Sequence, residues 1–178
     1  MTRHILLIGF KNVGKSTIGR ELARTMELPY RDLDRELEQF YEQTHHQTLT
    51  ARQIMNEHGE QFFRQLEGDV LRNVLAAKEQ IVISLGGGTI LQSEHQPMIG
   101  RHIVIHVTAP KSQVFERIMV NGRPAFFAPD ENPYDAFERM WEQRRTIYER
   151  LATFTIANNS SIGEVTEKLA LCLRAGMI

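Results

Sequence analysis

Short apolar runs alternate with helical patterns along the whole chain. The runs predict strands that are buried on both faces, and apolar residues recurring every three or four positions predict the helices between them. The predicted strands are Ile5–Ile8, Leu28–Asp32, Ile81–Leu85, Ile103–Val107 and Thr153–Ile156. Because strands that alternate with helices form parallel sheets, the pattern predicts an α/β protein with a three-layer α/β/α fold.

The helical segments have recognisable starts and stops. Thr50 and Gln53 resemble a capping box, so a helix should begin there and stop at Gly59. A second helix is predicted from Glu60 to about Ala77. The other predicted helices begin near Ile18, Glu36, Gln92, Lys111, Tyr134 and Ile162.

Length and composition limit the classes of protein. With 178 residues, 42% of them hydrophobic, residues 1–178 should form a single domain. The net charge of −1 gives no global attraction to nucleic acid or anionic lipid, so we expect small-molecule partners and a monomer. One cysteine excludes an intramolecular disulfide, and no leader or membrane-length apolar run is evident, so we expect a cytoplasmic protein.

The segment Gly9–Thr17 carries the clearest chemical signal. It has the Walker A pattern and lies between a predicted strand and a predicted helix, which is the context that the motif requires. Gly14 and the following amides would hold phosphate, Lys15 would reach the β- and γ-phosphates, and Ser16 would bind Mg²⁺. Thr17 is the next predicted phosphate contact. A chance glycine turn beside a lysine is the alternative interpretation.

Asp32 and Asp34 follow the second predicted strand. The carboxyl ends of parallel strands are where ligands bind, so both carboxylates should lie beside the phosphate loop. Helix capping is the alternative role, because aspartate is favoured at helix N-termini.

Three further features bear on function. Gly86, Gly87 and Gly88 follow the third strand and would let backbone approach a ligand closely. Arg64 lies off the apolar stripe of its helix, and the helical pattern by itself predicts an exposed surface charge. The segment of about 120–133 is rich in Gly and Pro and contains Arg123, which favours a lid over a nucleotide.

Taken in order, these motifs resemble the shikimate kinase family over nearly the whole chain. The most specific part is the pair of segments Gly59–Glu67 and Leu85–Gly88, since a phosphate loop alone is common to many nucleotide-binding proteins. The resemblance implies a P-loop kinase of the nucleoside-monophosphate-kinase type with strand order 2-3-1-4-5. It also implies transfer of the ATP γ-phosphate to the 3-hydroxyl of shikimate, with a substrate-binding region of about 33–64.

The resemblance also implies roles for individual residues. Asp34, Lys15 and Arg123 would be catalytic, and Asp32 would join Ser16 in the magnesium site. Arg64 and Arg144 would bind the shikimate carboxylate, which replaces the surface interpretation of Arg64. The remaining implied contacts are Gly86, Gly87 and Gly88 with shikimate, and Gly14, Lys15, Ser16, Thr17, Arg117 and Arg123 with ATP.

Two other functions remain open on the sequence. One is a related small-molecule kinase, such as a gluconate kinase, and the other is a nucleotide-binding module that no longer catalyses a reaction. Two strings of common GTPases, Asn-Lys-x-Asp for guanine and Asp-x-x-Gly before a switch, do not occur.

Overall fold

The computed structural model describes residues 2–120, 127 and 130–176. The strands are β1 (Ile5–Ile8), β2 (Tyr30–Asp32), β3 (Val82–Ser84), β4 (Ile103–Thr108) and β5 (Phe154–Ala157). The helices are α1 (Lys15–Met26), α2 (Leu33–His45), α3 (Ala51–Leu75), α4 (Gln96–Ile99), α5 (Lys111–Met119), α6 (Pro133–Leu151) and α7 (Ile162–Arg174). A 3₁₀ turn covers Thr89–Leu91.

The strands form one parallel sheet with the order β2-β3-β1-β4-β5, so the predicted fold class and strand order are confirmed. In its register, Ser84 of β3 pairs with Leu7 on one side and Asp32 on the other. Because all these strands run in the same direction, the loops that follow them leave the sheet at one edge. This register brings the phosphate loop, the Asp32 segment and the glycine loop together.

The core consists of the sheet and the inner faces of the helices. All four residues of β1 are at most 1% exposed, as expected for a central strand covered on both faces. The buried cluster includes Leu6 and Val104 from the sheet, Ile18 from α1 and Phe137 from α6. Burying each such side chain contributes about 1.5–3 kcal/mol, which gives the loops at the edge of the sheet a rigid base.

The helix boundaries differ from the sequence prediction in one place. The break predicted at Gly59 is present, with φ 82° and ψ 170°, and helical structure resumes directly after it as predicted, so α3 contains both predicted helices with a kink between them. The predicted helix Gln92–Ile99 is wrong in its first half, because only the short α4 forms there after the 3₁₀ turn. Pro97 at the start of α4 is consistent with a helix beginning at that point.

Within the described part of the chain, no helix is both long enough and apolar enough to cross a membrane.

Candidate active site

The phosphate loop connects β1 to α1 and has the backbone that its glycines permit. Gly9 and Gly14 have φ of 144° and 100°, and a β-carbon on Gly9 would lie 2.2 Å from the carbonyl oxygen of Val107. No other residue fits at Gly9 without displacing β4. Gly14 is the N-cap of α1, so the helix N-terminus points at the space enclosed by the loop.

Lys15 lies inside this loop. Its Nζ donates hydrogen bonds to the carbonyl oxygens of Gly9 at 3.0 Å and Phe10 at 2.8 Å. Burial lowers the pKa of Lys15 to about 8, although the carboxylates of Asp34 and Asp32 act in the opposite direction. A bound phosphate would give the desolvated ammonium group of Lys15 an anionic partner and so favour its charged form.

Asn12 and Arg117 join the phosphate loop to the end of α5. Asn12 takes a left-handed conformation with φ 65°, and its Nδ2 donates to the carbonyl oxygen of Arg117 at 3.1 Å. In return, Nη1 of Arg117 donates to the Asn12 carbonyl oxygen at 3.3 Å. Arg117 therefore lies at the rim of the loop, and Thr17 is exposed in the first turn of α1.

Ser16 and Asp32 lie side by side at the other end of the loop. The Ser16 hydroxyl donates to Oδ2 of Asp32 at 2.9 Å, and the Tyr30 hydroxyl donates to the same oxygen at 3.1 Å. Asp32 occupies the N-cap position of α2, but its side chain caps no amide of the helix. The carboxylate therefore faces the loop, and the capping alternative is wrong for Asp32.

Asp34 is in the first turn of α2 and points towards the glycine loop. A β-carbon on Gly86 would lie 3.1 Å from Oδ1 of Asp34. Burial raises the pKa of Asp34 to about 6, and the negative charges of Asp32 and Glu67 act in the same direction. A carboxylate with this pKa is a stronger base than an aspartate with the ordinary pKa of 3.8.

The glycine loop is packed too tightly for side chains. A β-carbon on Gly88 would lie 2.8 Å from Nη2 of Arg64, and one on Gly87 would lie 3.2 Å from the amide nitrogen of Lys11. The three glycines therefore let an arginine, an aspartate and the phosphate loop approach the same backbone segment.

Arg64 is held in the cavity and not at the surface. Its side chain is only 17% exposed, so the expectation of a surface charge was wrong. Nη1 donates to Oε2 of Glu67 at 2.8 Å, and Nε lies 3.5 Å from Oε1 of Glu60. The rest of the guanidinium group faces Gly88, where it can reach a ligand.

Arg144 approaches the same loop from α6. Its Nη1 lies 3.5 Å from the carbonyl oxygen of Gly87, and its guanidinium carbon lies 5.0 Å from the centre of the Phe10 ring. Burial lowers the pKa of Arg144, and the positive charge of Arg64 adds to that effect. Among the described residues, Arg144 has no carboxylate within salt-bridge distance, which favours binding of an anion beside it.

The sequence analysis missed two residues that support this arrangement. Glu67 is 2% exposed and accepts hydrogen bonds from Arg64 and from the Thr89 hydroxyl, the latter at 2.6 Å. The Tyr148 hydroxyl donates to the Gly87 carbonyl oxygen at 2.7 Å. The spacing of three residues between Arg64 and Glu67 was the available signal for the first, since such a pair shares a helix face.

Most of these groups line one cavity of about 390 Å³, whereas Thr17, Arg117 and Tyr148 are not part of its lining. Its predicted members are Lys15, Ser16, Asp32, Asp34, Arg64, Gly86, Gly87, Gly88 and Arg144. Arg123 and most of the predicted lid lie outside the described residues. A phosphate-binding loop that opens into the same cavity as two carboxylates, Asp32 and Asp34, and two arginines defines a P-loop kinase for a small anionic acceptor.

Comparison with known proteins then gives the family. A family model described as "Shikimate kinase" matches residues 11–174, and the chain belongs to the shikimate kinase family of ATP-dependent kinases. A shikimate kinase from Thermus thermophilus is 33% identical, with 93% of this chain and 86% of the relative aligned. One from Aquifex aeolicus is 32% identical, with 98% of each chain aligned.

Solved structures agree with the sequence relatives. A shikimate kinase from Acinetobacter baumannii, solved in complex with shikimate, superposes with a TM-score of 0.84 at 27% identity and covers 99% of this chain and 94% of that one. The Aquifex aeolicus shikimate kinase superposes with a TM-score of 0.75 at 30% identity and covers 98% of both chains.

Proposed function

We propose that this protein transfers the γ-phosphoryl group of ATP to the 3-hydroxyl of shikimate, giving shikimate 3-phosphate and ADP. The observation that carries the proposal is that Arg64 lies against Gly88 and Arg144 against Gly87, and that both line the cavity that contains Lys15 and Asp34. Shikimate is a small carboxylate with ring hydroxyls. Two guanidinium groups match a carboxylate in charge and in geometry, and Asp34 supplies an acceptor for a hydroxyl proton.

Each residue then has a defined task. Arg64 and Arg144 would bind the carboxylate of shikimate, while Gly86–Gly88 would contact its ring through backbone. Asp34 would orient the attacking hydroxyl and accept its proton late, because the transition state of phosphoryl transfer is loose. Lys15 would compensate charge on the β- and γ-phosphates.

The residues present also fit a magnesium ion. Ser16 and Asp32 offer oxygen ligands beside the phosphate loop, and Mg²⁺ prefers one or two protein oxygens supplemented by substrate phosphates and water. Among the residues that the structure describes, no cluster of three or more His, Cys, Asp or Glu side chains forms a metal site. When bound with ATP, the ion would neutralise charge on the β- and γ-phosphates.

The nucleotide would extend from the loop towards Arg117, which lies beside Asn12. Thr17, at the start of α1, would contact a phosphate. Arg123 would reach the transferring phosphoryl group from the lid of about 120–133. Gly14 would contribute its amide at the helix N-terminus.

The test is ADP release from MgATP with shikimate, with gluconate, with nucleoside monophosphates and without acceptor. We expect turnover that depends on shikimate and on Mg²⁺. Faster turnover with gluconate would assign the related kinase activity instead. ATP binding without turnover on any acceptor would assign a binding module.

We also propose that the protein acts as a monomer in the cytoplasm. Lys15, Asp34, Arg64 and Arg144 already share one cavity within a single copy of the chain, which supports a site formed by the monomer. Light scattering of the active protein checks this. Activity confined to a dimer fraction would contradict it.

A further inference from the structure

Tyr30 and Asp32 lie on the same face of β2. Side chains two positions apart in a strand point to the same side of the sheet, so the tyrosine side chain lies alongside the carboxylate. Its hydroxyl donates a 3.1 Å hydrogen bond to Oδ2 of Asp32, and the Ser16 hydroxyl donates to the same oxygen at 2.9 Å. Two hydroxyl groups from different elements, β2 and α1, therefore hold one carboxylate oxygen.

These two hydrogen bonds leave the other oxygen of Asp32 free. Among the described residues, none donates a hydrogen bond to Oδ1, and Asp32 lines the active-site cavity. Oδ1 is therefore the oxygen available to a metal ion or to a water bound to one. Ser16 is oriented in a similar way, because a hydroxyl that donates its single proton to Asp32 keeps its lone pairs for a cation.

The ring of Tyr30 is held in place by α1. Tyr30 is half-buried, and the guanidinium carbon of Arg20 lies 5.5 Å from the centre of its ring. A β-carbon on Gly19 would lie 2.7 Å from Cε2 of that ring, so the ring lies directly against the helix backbone. This close approach at Gly19 sets where the hydroxyl of Tyr30 lies relative to Asp32.

The hydroxyl is the part of Tyr30 that acts on Asp32. A phenylalanine at this position would fill the same space but would leave Oδ2 with the Ser16 hydroxyl alone. The carboxylate could then turn more freely about its last side-chain bond, since that torsion has a broad energy minimum. Groups that orient a metal-binding carboxylate contribute to metal affinity without touching the metal.

We propose that Tyr30 is a positioning residue for the magnesium site: its hydroxyl fixes the carboxylate of Asp32, and Asp32 in turn orients the hydroxyl of Ser16. The inference rests on the proposed function for the assignment of Ser16 and Asp32 to Mg²⁺. Tyr30 is not among the residues that line the active-site cavity, so it acts through Asp32 and not on a substrate.

The measured quantity is the factor by which Mg²⁺ tightens ATP binding, taken from calorimetric titrations with ATP in Mg²⁺ and in EDTA. Tyr30→Phe should reduce this factor about two- to tenfold, the contribution of one ordinary hydrogen bond, and leave ATP affinity in EDTA unchanged. The Mg²⁺ concentration for half-maximal turnover should rise by the same factor, while kcat at saturating Mg²⁺ changes little. A factor equal to or larger than that of the wild type would overturn the proposal.

Tyr41→Phe is the matched control. It removes the hydroxyl of a buried tyrosine in α2 whose hydrogen-bond partners are Gln47 and His58, and neither partner lines the active-site cavity. This variant should lose some stability and keep the full effect of Mg²⁺ on ATP binding. An equal loss of the Mg²⁺ effect in both variants would show that general destabilisation causes it, and would refute the positioning role.

Gly19→Ala tests the same hydrogen bond without removing the hydroxyl. The added β-carbon would displace the ring of Tyr30, so this variant should reduce the Mg²⁺ effect as Tyr30→Phe does. The double variant should show no further reduction, because both changes break the same hydrogen bond. Additive reductions would mean that Gly19 and Tyr30 act independently, which contradicts the proposal.

The calorimetric titrations contain no shikimate, so they separate this inference from the proposed function. A wild-type protein without turnover on shikimate would contradict the proposed function, and the Mg²⁺ effect in the variants would still decide the role of Tyr30. Wild-type ATP affinity that does not change with Mg²⁺ would overturn the role of Tyr30 even if shikimate is phosphorylated.

Discussion

The hydroxyl of Tyr148 donates a 2.7 Å hydrogen bond to the carbonyl oxygen of Gly87 and so joins α6 to the glycine loop. Tyr148 is 2% exposed, and burial raises its pKa well above the usual range, which keeps the hydroxyl protonated and able to donate. The same helix carries Arg144 towards the same carbonyl. The bond therefore sets where one of the two guanidinium groups lies relative to the loop.

Tyr148→Phe should weaken shikimate binding more than ATP binding. The variant removes the shorter of the two hydrogen bonds to the Gly87 carbonyl, which should lower the free energy of unfolding by about 0.5–1.5 kcal/mol. Tyr134→Phe, at an exposed tyrosine of the same helix, is the control and should change neither quantity. Calorimetry and urea unfolding measure both effects, and an unchanged shikimate affinity would show that the bond does not position the site.

Lys15→Met should abolish most turnover while the protein stays folded. The ammonium group is desolvated, and its hydrogen-bond partners among the described residues are two carbonyl oxygens, so its removal costs little stability but deprives the phosphates of a cation. Lys168→Met changes an exposed lysine of α7 and should keep normal activity. If the Lys15→Met variant released ADP at the wild-type steady-state rate, the assignment of Gly9–Thr17 as the phosphate loop would be wrong.

Arg64→Ala and Arg144→Ala should each weaken shikimate binding by about 1.5–3 kcal/mol, the usual contribution of a hydrogen bond to a charged group. Binding of MgATP should stay close to normal, because neither guanidinium is assigned to the nucleotide. Arg145→Ala removes the exposed neighbour of Arg144 and serves as the control. Calorimetric titration of all three variants with shikimate decides the assignment.

Asp34 should impose a pH dependence on catalysis. With its pKa near 6, the carboxylate is protonated as the pH falls through 6, so kcat/KM for shikimate should decline in that range. Asp34→Asn should remove activity at every pH. A profile that stays flat from pH 8 to about 5 would exclude Asp34 as the titrating group.

The same carboxylate should reduce stability at neutral pH. Because the pKa in the folded state is raised from 3.8 to about 6, the stability present below pH 4 is lost as the pH rises through 6. Asp34→Asn should therefore have a larger free energy of unfolding than the wild type at pH 7.5, but Asp34 is exposed to the open cavity, so solvent screening limits the gain to about 1 kcal/mol or less. At pH 3.5 the variant and the wild type should be nearly equal, and a gain that persists there would contradict this explanation.

Arg123→Ala should lower kcat by about 10³ or more and change shikimate affinity much less. A lid arginine stabilises the transition state, in which charge moves onto the transferring oxygens, more than the bound ground state. Arg123→Lys should recover little activity, because an ammonium does not reproduce the planar guanidinium. Single-turnover comparison with Arg117→Ala separates the two arginines, and near-normal phosphoryl transfer in Arg123→Ala would assign the role to Arg117.

Local sequence patterns were sufficient to predict much of the secondary structure and the phosphate loop of this protein. The strands, most of the helices and the phosphate loop follow from residues that are close together in the chain, because apolar spacing and glycine conformation act over a few positions. The break at Gly59 was predictable for the same reason. The resemblance to the shikimate kinase family also depended on short motifs, and the family is confirmed.

Only the tertiary structure decided how distant residues meet. Arg64 and Arg144 are 80 positions apart, and their common approach to the glycine loop depends on how α3 and α6 pack against the sheet. The apolar pattern of α3 predicted that Arg64 is an exposed surface charge, because the pattern contains no information about what packs on the polar face of that helix. Likewise, the pKa of Asp34 depends on its burial beside Asp32 and Glu67, and the sequence specifies the identity of these residues but not the distances between them.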